Sequence, residues 1–266
     1  MNAETLVREG KLEEALAELK QAVRDNAADP KLRVFLFQLL AVRGEWDKAL
    51  TQLHVSGDLD PASMLMVQTY QIAVQAEAYR RDIFSGKRTP MVFGEPEPWI
   101  GHLVQALHDY AAGNADAAAA QRAKAFEDAP AVPCTVDGTP CDWLADMDER
   151  LGPVFEAIID GKYYWVPMNR VAHLHIEEPT DLRDVIWIPG VFTWTNGGES
   201  HALLFARYPG SENSTDEHRL ARGTAFDETL PGTFTGLGQR MFAGGEEEFP
   251  MLAVRSIEFQ HEGTGG

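Results

Sequence analysis

A run of alternating histidine, glutamate and apolar residues is the part of the sequence most suggestive of a chemical site. In residues 171–178 (VAHLHIEE), this alternation predicts a β-strand, on which alternate side chains share a face. His173, His175 and Glu177 would then point the same way, as ligands of a metal-dependent hydrolase could. However, no second cluster of metal-ligating residues accompanies the run, and a solvated strand face has the same alternation. We therefore expect no metal ion and no other cofactor, with the hydrolase as an alternative.

The other residues that could act as nucleophiles or bind nucleotides lack the surroundings that such chemistry requires. Cys134 and Cys141 lie in a proline-containing segment, for which we expect free thiols, with a redox-sensitive pair as the alternative. The sequence has no GxSxG, P-loop or HExxH motif, and the GLG of residues 236–238 lacks the GxGxxG pattern. We therefore assign no catalytic residue to these motifs.

The charge of the chain argues against two classes of partner. Its 266 residues include 41 acidic and 23 basic side chains, for a net charge of −18. Nucleic acids and anionic membranes are bound through Lys and Arg, so we expect neither as a partner. The acidic excess is divided evenly between residues 1–150 and 151–266, so it belongs to the whole surface. No apolar run suits a membrane span and no signal peptide is recognisable, which favours a cytoplasmic location.

Apolar residues at helical spacing predict that helices make up the first half of the chain. The apolar stripes lie between residues 12 and 23, 32 and 40, 65 and 83, 99 and 110, and 115 and 126. Near residue 130 the helical spacing of apolar residues ends, and a proline-rich segment is followed by runs of β-forming residues. We therefore predict an α+β protein, with a helical domain over residues 1–130 and a compact β-rich domain over residues 131–266.

The helical half contains an internal repeat. The strings GKLEEALAEL and GEWDKALTQL begin at Gly10 and Gly44, which are separated by the tetratricopeptide period of about 34 residues. A third unit begins at Gly113, and Pro61 and Pro130 end the second and third units alike. The glycines suit the tight turn between paired helices, and the alanines suit close helix contact. We predict a tetratricopeptide-like array, with an unrelated array of helical hairpins as the alternative.

The second half is predicted to start with a linker and a short helix. The linker covers the proline-rich residues 129–140, and the helix runs from Trp143 to Asp160 and ends at Gly161. We also predict a hairpin turn at Asn196-Gly197 and exposed loops at residues 209–229 and 244–248. Seven strands are predicted around these features, at residues 163–166, 171–178, 185–188, 191–194, 201–208, 234–242 and 251–259.

The first helix of each repeat pair is predicted to line a concave, peptide-binding face. In the second repeat, residues 31–42 form this helix, with Leu36, Phe37 and Leu40 packing inward. The alternative is that the concave face is buried against the β-rich half. The partner-binding residues that we predict are Val34, Gln38, Val42, Tyr70, Trp99 and Tyr164.

Six longer strings of the sequence carry a family resemblance. They are KLRVFLFQLLAVRGEWDKALTQL (31–53), RTPMVFGEPEPW (88–99), LGPVFEAIIDGKYYWVP (151–167), DLRDVIWIPGVFTWTNGG (181–198), ARYPGSE (206–212) and GLGQRMF (236–242). They resemble strings of the ImpE/TagJ family, in the same order and over almost the whole chain. This resemblance implies a non-enzymatic, cytoplasmic accessory protein of a bacterial type VI secretion system, with a tetratricopeptide-like N-terminal half and a β-rich C-terminal half.

The resemblance also implies partners. These are the N-terminal segment of the smaller subunit of the contractile sheath and the Clp-type ATPase that recycles the sheath. The segment could bind as an amphipathic helix in an apolar groove, or as a strand added to a β edge near residues 171–176. The acidic surface would favour segments that carry Lys or Arg. A generic repeat scaffold unrelated to secretion is the further alternative.

Overall fold

A computed structural model describes residues 2–261 and shows a helical region followed by a β-rich region. Its secondary structure confirms the predicted α+β class and the order of the two regions. Among the described residues, no helix combines the length and apolar character needed to cross a bilayer. The helices are α1 (Ala3–Arg8), α2 (Leu12–Asp25), α3 (Pro30–Val42), α4 (Trp46–Leu59), α5 (Met64–Phe84), α6 (Pro98–Ala111), α7 (Ala115–Asp128) and α8 (Asp216–Arg219).

The predicted repeats correspond to three pairs of helices: α1 with α2, α3 with α4, and α6 with α7. Gly10, Gly44 and Gly113 lie in the turns between the paired helices, at φ values of 74°, 72° and 79°. This left-handed backbone is readily adopted only by glycine, which explains why the residue recurs at the repeat period. The matched alanines of the second helix in each pair are fully buried, as predicted; they are Ala15, Ala49 and Ala118.

Most of the β-rich region belongs to one antiparallel sheet of eight strands, in the order β2-β1-β13-β6-β7-β8-β4-β5. Strands β9 and β10 form a separate hairpin, and β12, β11 and β3 form a small third sheet. The strands are β1 (Cys134–Val136), β2 (Thr139–Cys141), β3 (Ala145–Asp146), β4 (Val154–Ile159), β5 (Lys162–Pro167), β6 (Val171–Ile176), β7 (Trp187–Trp194), β8 (Glu199–Phe205), β9 (Thr224–Leu230), β10 (Thr233–Gly238), β11 (Met241–Gly244), β12 (Glu247–Pro250) and β13 (Ser256–Phe259).

The predicted helix from Trp143 to Asp160 is wrong, because this segment contains β3 and β4. All six residues of β4 are buried, and a strand buried on both faces reads as a continuous apolar run that periodicity cannot distinguish from a helix. Gly161 does not end a helix. It forms the β4–β5 turn with Asp160, and both residues have positive φ.

Three predicted loops or linkers are also more ordered than expected. The predicted linker contains the β1–β2 hairpin, which turns at Asp137 and Gly138. Residues 209–229 include α8 and most of β9, and residues 244–248 comprise the end of β11, a turn at Gly245 and Glu246, and the start of β12. In contrast, the turn at Asn196-Gly197 is confirmed between β7 and β8, whereas the two strands predicted within residues 185–194 are one strand, β7.

The large sheet has an apolar core on each face, as alternate residues of β4 illustrate. Val154 and Ile158 belong to the core that also contains the helical residues, whereas Phe155, Ala157 and Ile159 belong to the second core. The helices therefore cover one face of the sheet. Although the architecture changes near residue 130, the helical and β-rich regions share a continuous core.

Candidate protein-binding site

A cleft lies between the first helices of the first two repeats. Helix α3 starts at a defined point because the Asp29 carboxylate accepts hydrogen bonds from the Lys31 and Leu32 N–H groups, and Pro30 occupies the first turn. We call this cleft the repeat cleft; its volume is about 560 Å³. It is lined by Glu4, Val7 and Arg8 of α1, by Pro30, Lys31, Val34, Phe35 and Gln38 of α3, and by Asp60, Ser63, Thr180, Asp181 and Leu182.

One wall of the repeat cleft comes from the β-rich region. The Asp184 carboxylate accepts hydrogen bonds from the Thr180 and Asp181 N–H groups, each at 2.8 Å, and so fixes this wall. The Gln38 Nε2 donates to the Asp181 Oδ1 across the cleft at 3.4 Å. The helical and β-rich regions therefore build the cleft together, with apolar side chains inside and charged groups of both signs around them.

Two of the six predicted partner-binding residues, Val34 and Gln38, line the repeat cleft. Val34 is half-buried, and Gln38 is 5% exposed where it meets Asp181. Tyr164 is half-buried elsewhere, against the edge of the Phe93 ring at 5.5 Å between ring centroids. The structure therefore brings Val34 and Gln38 together but not Tyr164.

Three other predicted partner-binding residues, Val42, Tyr70 and Trp99, are largely buried within this chain, and their role in partner binding stays a prediction. Val42 is 0% exposed, and its carbonyl accepts a hydrogen bond from Arg207 of the β-rich region at 2.8 Å. Tyr70 packs against Trp187 at 6.0 Å between ring centroids, and Trp99 is 2% exposed. The prediction treated the repeats as a free-standing array, whereas the sheet packs against part of them, as the alternative anticipated.

The strand of alternating histidines is β6, and its polar face is engaged within the chain. The His173 Nε2 lies 3.0 Å from the Ser256 Oγ, and the His175 Nε2 lies 3.8 Å from the Glu177 Oε1. Across residues 2–261, no group of three or more His, Cys, Asp or Glu side chains is placed to hold a metal ion. The geometry therefore offers the hydrolase alternative no complete ligand set.

The prediction of an exposed edge near residues 171–176 is wrong. Strand β6 lies inside the large sheet, paired with β13 on one side and β7 on the other. The two edge strands are β2, which contains Pro140, and β5. The Trp165 N–H in β5 donates to the Met91 carbonyl at 2.8 Å, so the free side of β5 is already partly paired. Strand addition at β6 is thus excluded by the sheet order.

Both cysteines are free thiols in the β1–β2 hairpin, directly opposite each other in the register. Burial, together with the neighbouring Cys141, raises the pKa of Cys134 to about 12. Since the thiolate is the nucleophilic form of cysteine, a thiol protonated in this way has little reactivity at neutral pH. This setting fits a structural role for the pair.

A buried ion network, which no sequence pattern predicted, joins the helical and β-rich regions. We define it as Arg80 of α5, Glu156 of β4, Asp146 of β3 and Arg240. Arg80 binds both Glu156 carboxylate oxygens, through Nε at 2.7 Å and Nη2 at 2.8 Å. Arg240 binds Glu156 and Asp146. Arg80 lies in the polar stretch AEAYRRD, which resembles an exposed helix face, so helical periodicity could not identify it.

Two carboxyl groups in the ion network have opposite pKa shifts. Burial alone would raise the pKa of Glu156, but the charges and hydrogen bonds of Arg80 and Arg240 outweigh it and lower that pKa to about 2. Burial raises the pKa of Asp146 to about 6, against the opposing charge of Arg240. Glu156 therefore stays ionised between the two arginines, which makes it the charge centre of the network.

Comparison with known proteins adds matches to both regions of the chain. The family model described as ImpE protein matches residues 138–258, and a tetratricopeptide repeat model matches residues 6–66. The second match covers α3 and the end of α1, which line the repeat cleft, and the first covers most of the β-rich region. The predicted repeat identity is thereby confirmed for the first two repeats.

Two known proteins resemble this chain over nearly its whole length. The crystal structure of protein VPA1032 from Vibrio parahaemolyticus is 25% identical and covers 98% of each chain, with a TM-score of 0.88. A Pseudomonas aeruginosa protein named type VI secretion system accessory component TagJ is 45% identical over 262 residues, which are 98% of this chain and 92% of that protein. Identity at this level over nearly the full length shows that the chain belongs to the ImpE/TagJ family.

Proposed function

We propose that this protein is an accessory component of a bacterial type VI secretion system. The proposal is supported by the name of the Pseudomonas aeruginosa relative, with which the chain shares 45% identity over both its helical and its β-rich regions. In this role the protein is cytoplasmic and acts as a non-catalytic scaffold for other proteins.

Its specific task in this proposal is to bind the N-terminal segment of the smaller sheath subunit. The observation that carries this is the repeat cleft, where α1 and α3 present Val7, Val34 and Phe35 between charged groups. Tetratricopeptide arrays bind peptides through the first helix of each pair, and the apolar face of an amphipathic helix suits such a groove. The partner helix would place apolar side chains against Val34 and Phe35.

The lining of the repeat cleft carries charges of both signs, so a partner segment would pair both acidic and basic groups with it. Glu4 and Asp60 offer carboxylates, Asp181 is bound by Arg183 and Gln38, and Arg8 and Lys31 would select acidic groups. The net charge of −18 adds a long-range attraction for Lys and Arg, which raises association rates at low ionic strength. Binding to the sheath subunit would bring the protein close to the Clp-type ATPase that recycles the sheath.

A peptide titration tests this function. A fluorescently labelled peptide with the sequence of the sheath-subunit N-terminus is titrated with the full chain at low and high salt. We expect saturable binding with a dissociation constant of tens of micromolar or tighter, and slower association at high salt because ions screen the acidic surface. Absence of saturable binding would reject the adaptor role in favour of an unrelated repeat scaffold. An association rate that salt leaves unchanged would reject electrostatic steering.

A further inference from the structure

A second cavity lies where the end of α7 meets the β-rich region. We call it the α7 cavity; its volume is about 450 Å³. Residues from five parts of the chain form its walls, so it is a feature of the tertiary fold. They are Phe126, Ala129, Pro130, Ala131, Val132, Trp143, Leu144, Ala145, Asp146, Glu149, Gly152, Pro153, Met168, Asn169, Ala243 and Phe259.

Two large aromatic side chains in the wall of the α7 cavity remain exposed to solvent. Phe126 is 39% exposed and Trp143 is 40% exposed, although Leu144 and Met168 in the same wall are buried. A Cβ on Gly152 would lie 2.3 Å from a Phe126 ring carbon, so the glycine lets this ring pack over the cavity wall. Exposed aromatics around an apolar cavity are typical of surfaces that bind an apolar anchor.

The surroundings of the α7 cavity are acidic. Glu149 is part of the wall and is paired with Arg122, whose Nη2 lies 3.5 Å from the Glu149 Oε2, whereas two exposed carboxylates adjoin the wall in sequence: Asp128 precedes Ala129, and Asp142 precedes Trp143. None of the described residues that line the cavity is Lys or Arg. The adjacent Arg150 and Arg170 are engaged by Asp148 and Glu97. The local charge therefore complements a basic ligand.

We propose that the α7 cavity is a second docking site, for a peptide segment of a partner protein with an aromatic or long aliphatic anchor between Lys or Arg residues. The anchor packs against Phe126 and Trp143, and the Lys or Arg residues of the segment lie near the exposed carboxylates of Asp128 and Asp142. This site is formed by α7 and the β-rich region, whereas the repeat cleft is formed by α1 and α3. The protein can therefore hold two different segments, and this proposal does not depend on what binds in the repeat cleft.

The test selects peptides from a random-peptide phage library on the immobilised full-length protein. Selected peptides are then synthesised and titrated against four variants. Trp143→Ala removes part of the wall, and Ala131→Trp fills the mouth of the cavity from an exposed position. Phe234→Ala is the matched control, since Phe234 is 45% exposed and outside the cavity wall. Val34→Arg alters only the repeat cleft. Circular dichroism and thermal melts establish that each variant is folded.

We expect enriched peptides with an apolar anchor flanked by Lys or Arg. Their affinity should fall by about tenfold or more in Trp143→Ala and Ala131→Trp, as for an interface hot spot, and stay within about twofold in Phe234→Ala and Val34→Arg. The proposal is overturned if no peptide is enriched, or if the enriched peptides lack basic residues. It is also overturned if folded Trp143→Ala and Ala131→Trp bind them as the wild type does.

Discussion

At the scale of single residues, Glu156 has the most consequential electrostatic position in the protein. Its carboxylate lies between Arg80 and Arg240 and has no exposure to water. Removing one member of such a buried set leaves an uncompensated charge in a low-dielectric interior, which costs far more than losing a surface ion pair. The ion network therefore links α5 to the sheet through specific charge pairs.

Replacing Glu156 by glutamine should lower the free energy of unfolding by about 3–5 kcal/mol at pH 7, because both arginines lose the carboxylate that lies between them. The effect should depend on pH. Since the pKa of Glu156 is lowered to about 2 in the folded protein, the stability from its ionised form is present above about pH 4.5 and is lost as pH falls towards 2. Urea denaturation at several pH values should show the difference between wild type and Glu156→Gln narrowing below about pH 4.5.

The stability contribution of Asp146 has the opposite pH dependence to that of Glu156. It provides an internal reference for the comparison of wild type with Glu156→Gln. Because its pKa is raised to about 6 in the folded protein, proton uptake at Asp146 favours folding as pH falls from about 6 to 4. Both wild type and Glu156→Gln retain this carboxyl group. Its main contribution to the pH dependence of the unfolding free energy is therefore common to both proteins and cancels in their difference. A difference between the two proteins that stays constant from pH 7 to pH 3 would contradict the assignment.

At the scale of elements, helical periodicity and turn chemistry predicted the repeats well. The stripe from Leu12 to Val23 is the buried face of α2, and the glycines at the repeat period form the turns. Strand β4 was missed because its apolar run has no period, and Val42 was placed on the surface because the packing of the sheet against α3 involves residues distant in sequence. In contrast, Val34 near the start of α3 was placed in a cleft, where the structure has it.

The repeat glycines allow a matched comparison of two turns. Gly44 and Gly113 both have positive φ, so alanine at either position should cost about 1–2 kcal/mol from left-handed backbone strain. A Cβ on Gly44 would also lie 2.6 Å from the Glu212 Cγ, whereas a Cβ on Gly113 meets open space. Gly44→Ala should therefore be the more destabilising change in urea denaturation. Equal losses, or a larger loss for Gly113→Ala, would contradict the close contact between the second repeat and Glu212.

At the scale of the whole molecule, the change in architecture near residue 130 does not divide the core. Tyr70 and Trp99 of the helical region belong to the same apolar cluster as Trp165 and Trp187 of the sheet. Sequence patterns identified the two regions but could not show that they share a core, because patterning reveals which face is apolar and not what covers it. The division into residues 1–130 and 131–266 thus stays a prediction about where the secondary structure changes from helices to strands.

The shared core predicts that the full chain unfolds in a single cooperative transition. Tryptophan fluorescence and far-ultraviolet circular dichroism should give coincident urea curves, because helices and sheet lose their common core together. A fragment of residues 1–130 should lack a cooperative transition, since the residues that cover Tyr70 and Trp99 are then missing. Two separated transitions in the full chain, or a cooperatively folded fragment, would show that the regions are energetically independent.

We propose that the repeat cleft binds the N-terminal segment of the smaller sheath subunit. The most direct test is to titrate the labelled peptide against wild type, Val34→Arg and Val104→Arg by fluorescence anisotropy. Val34 and Val104 are both half-buried helical valines, but only Val34 lines the cleft. We predict that folded Val34→Arg binds about tenfold or more weakly, whereas Val104→Arg binds like wild type. Equal affinity for all three folded proteins would contradict the placement of the partner in the repeat cleft.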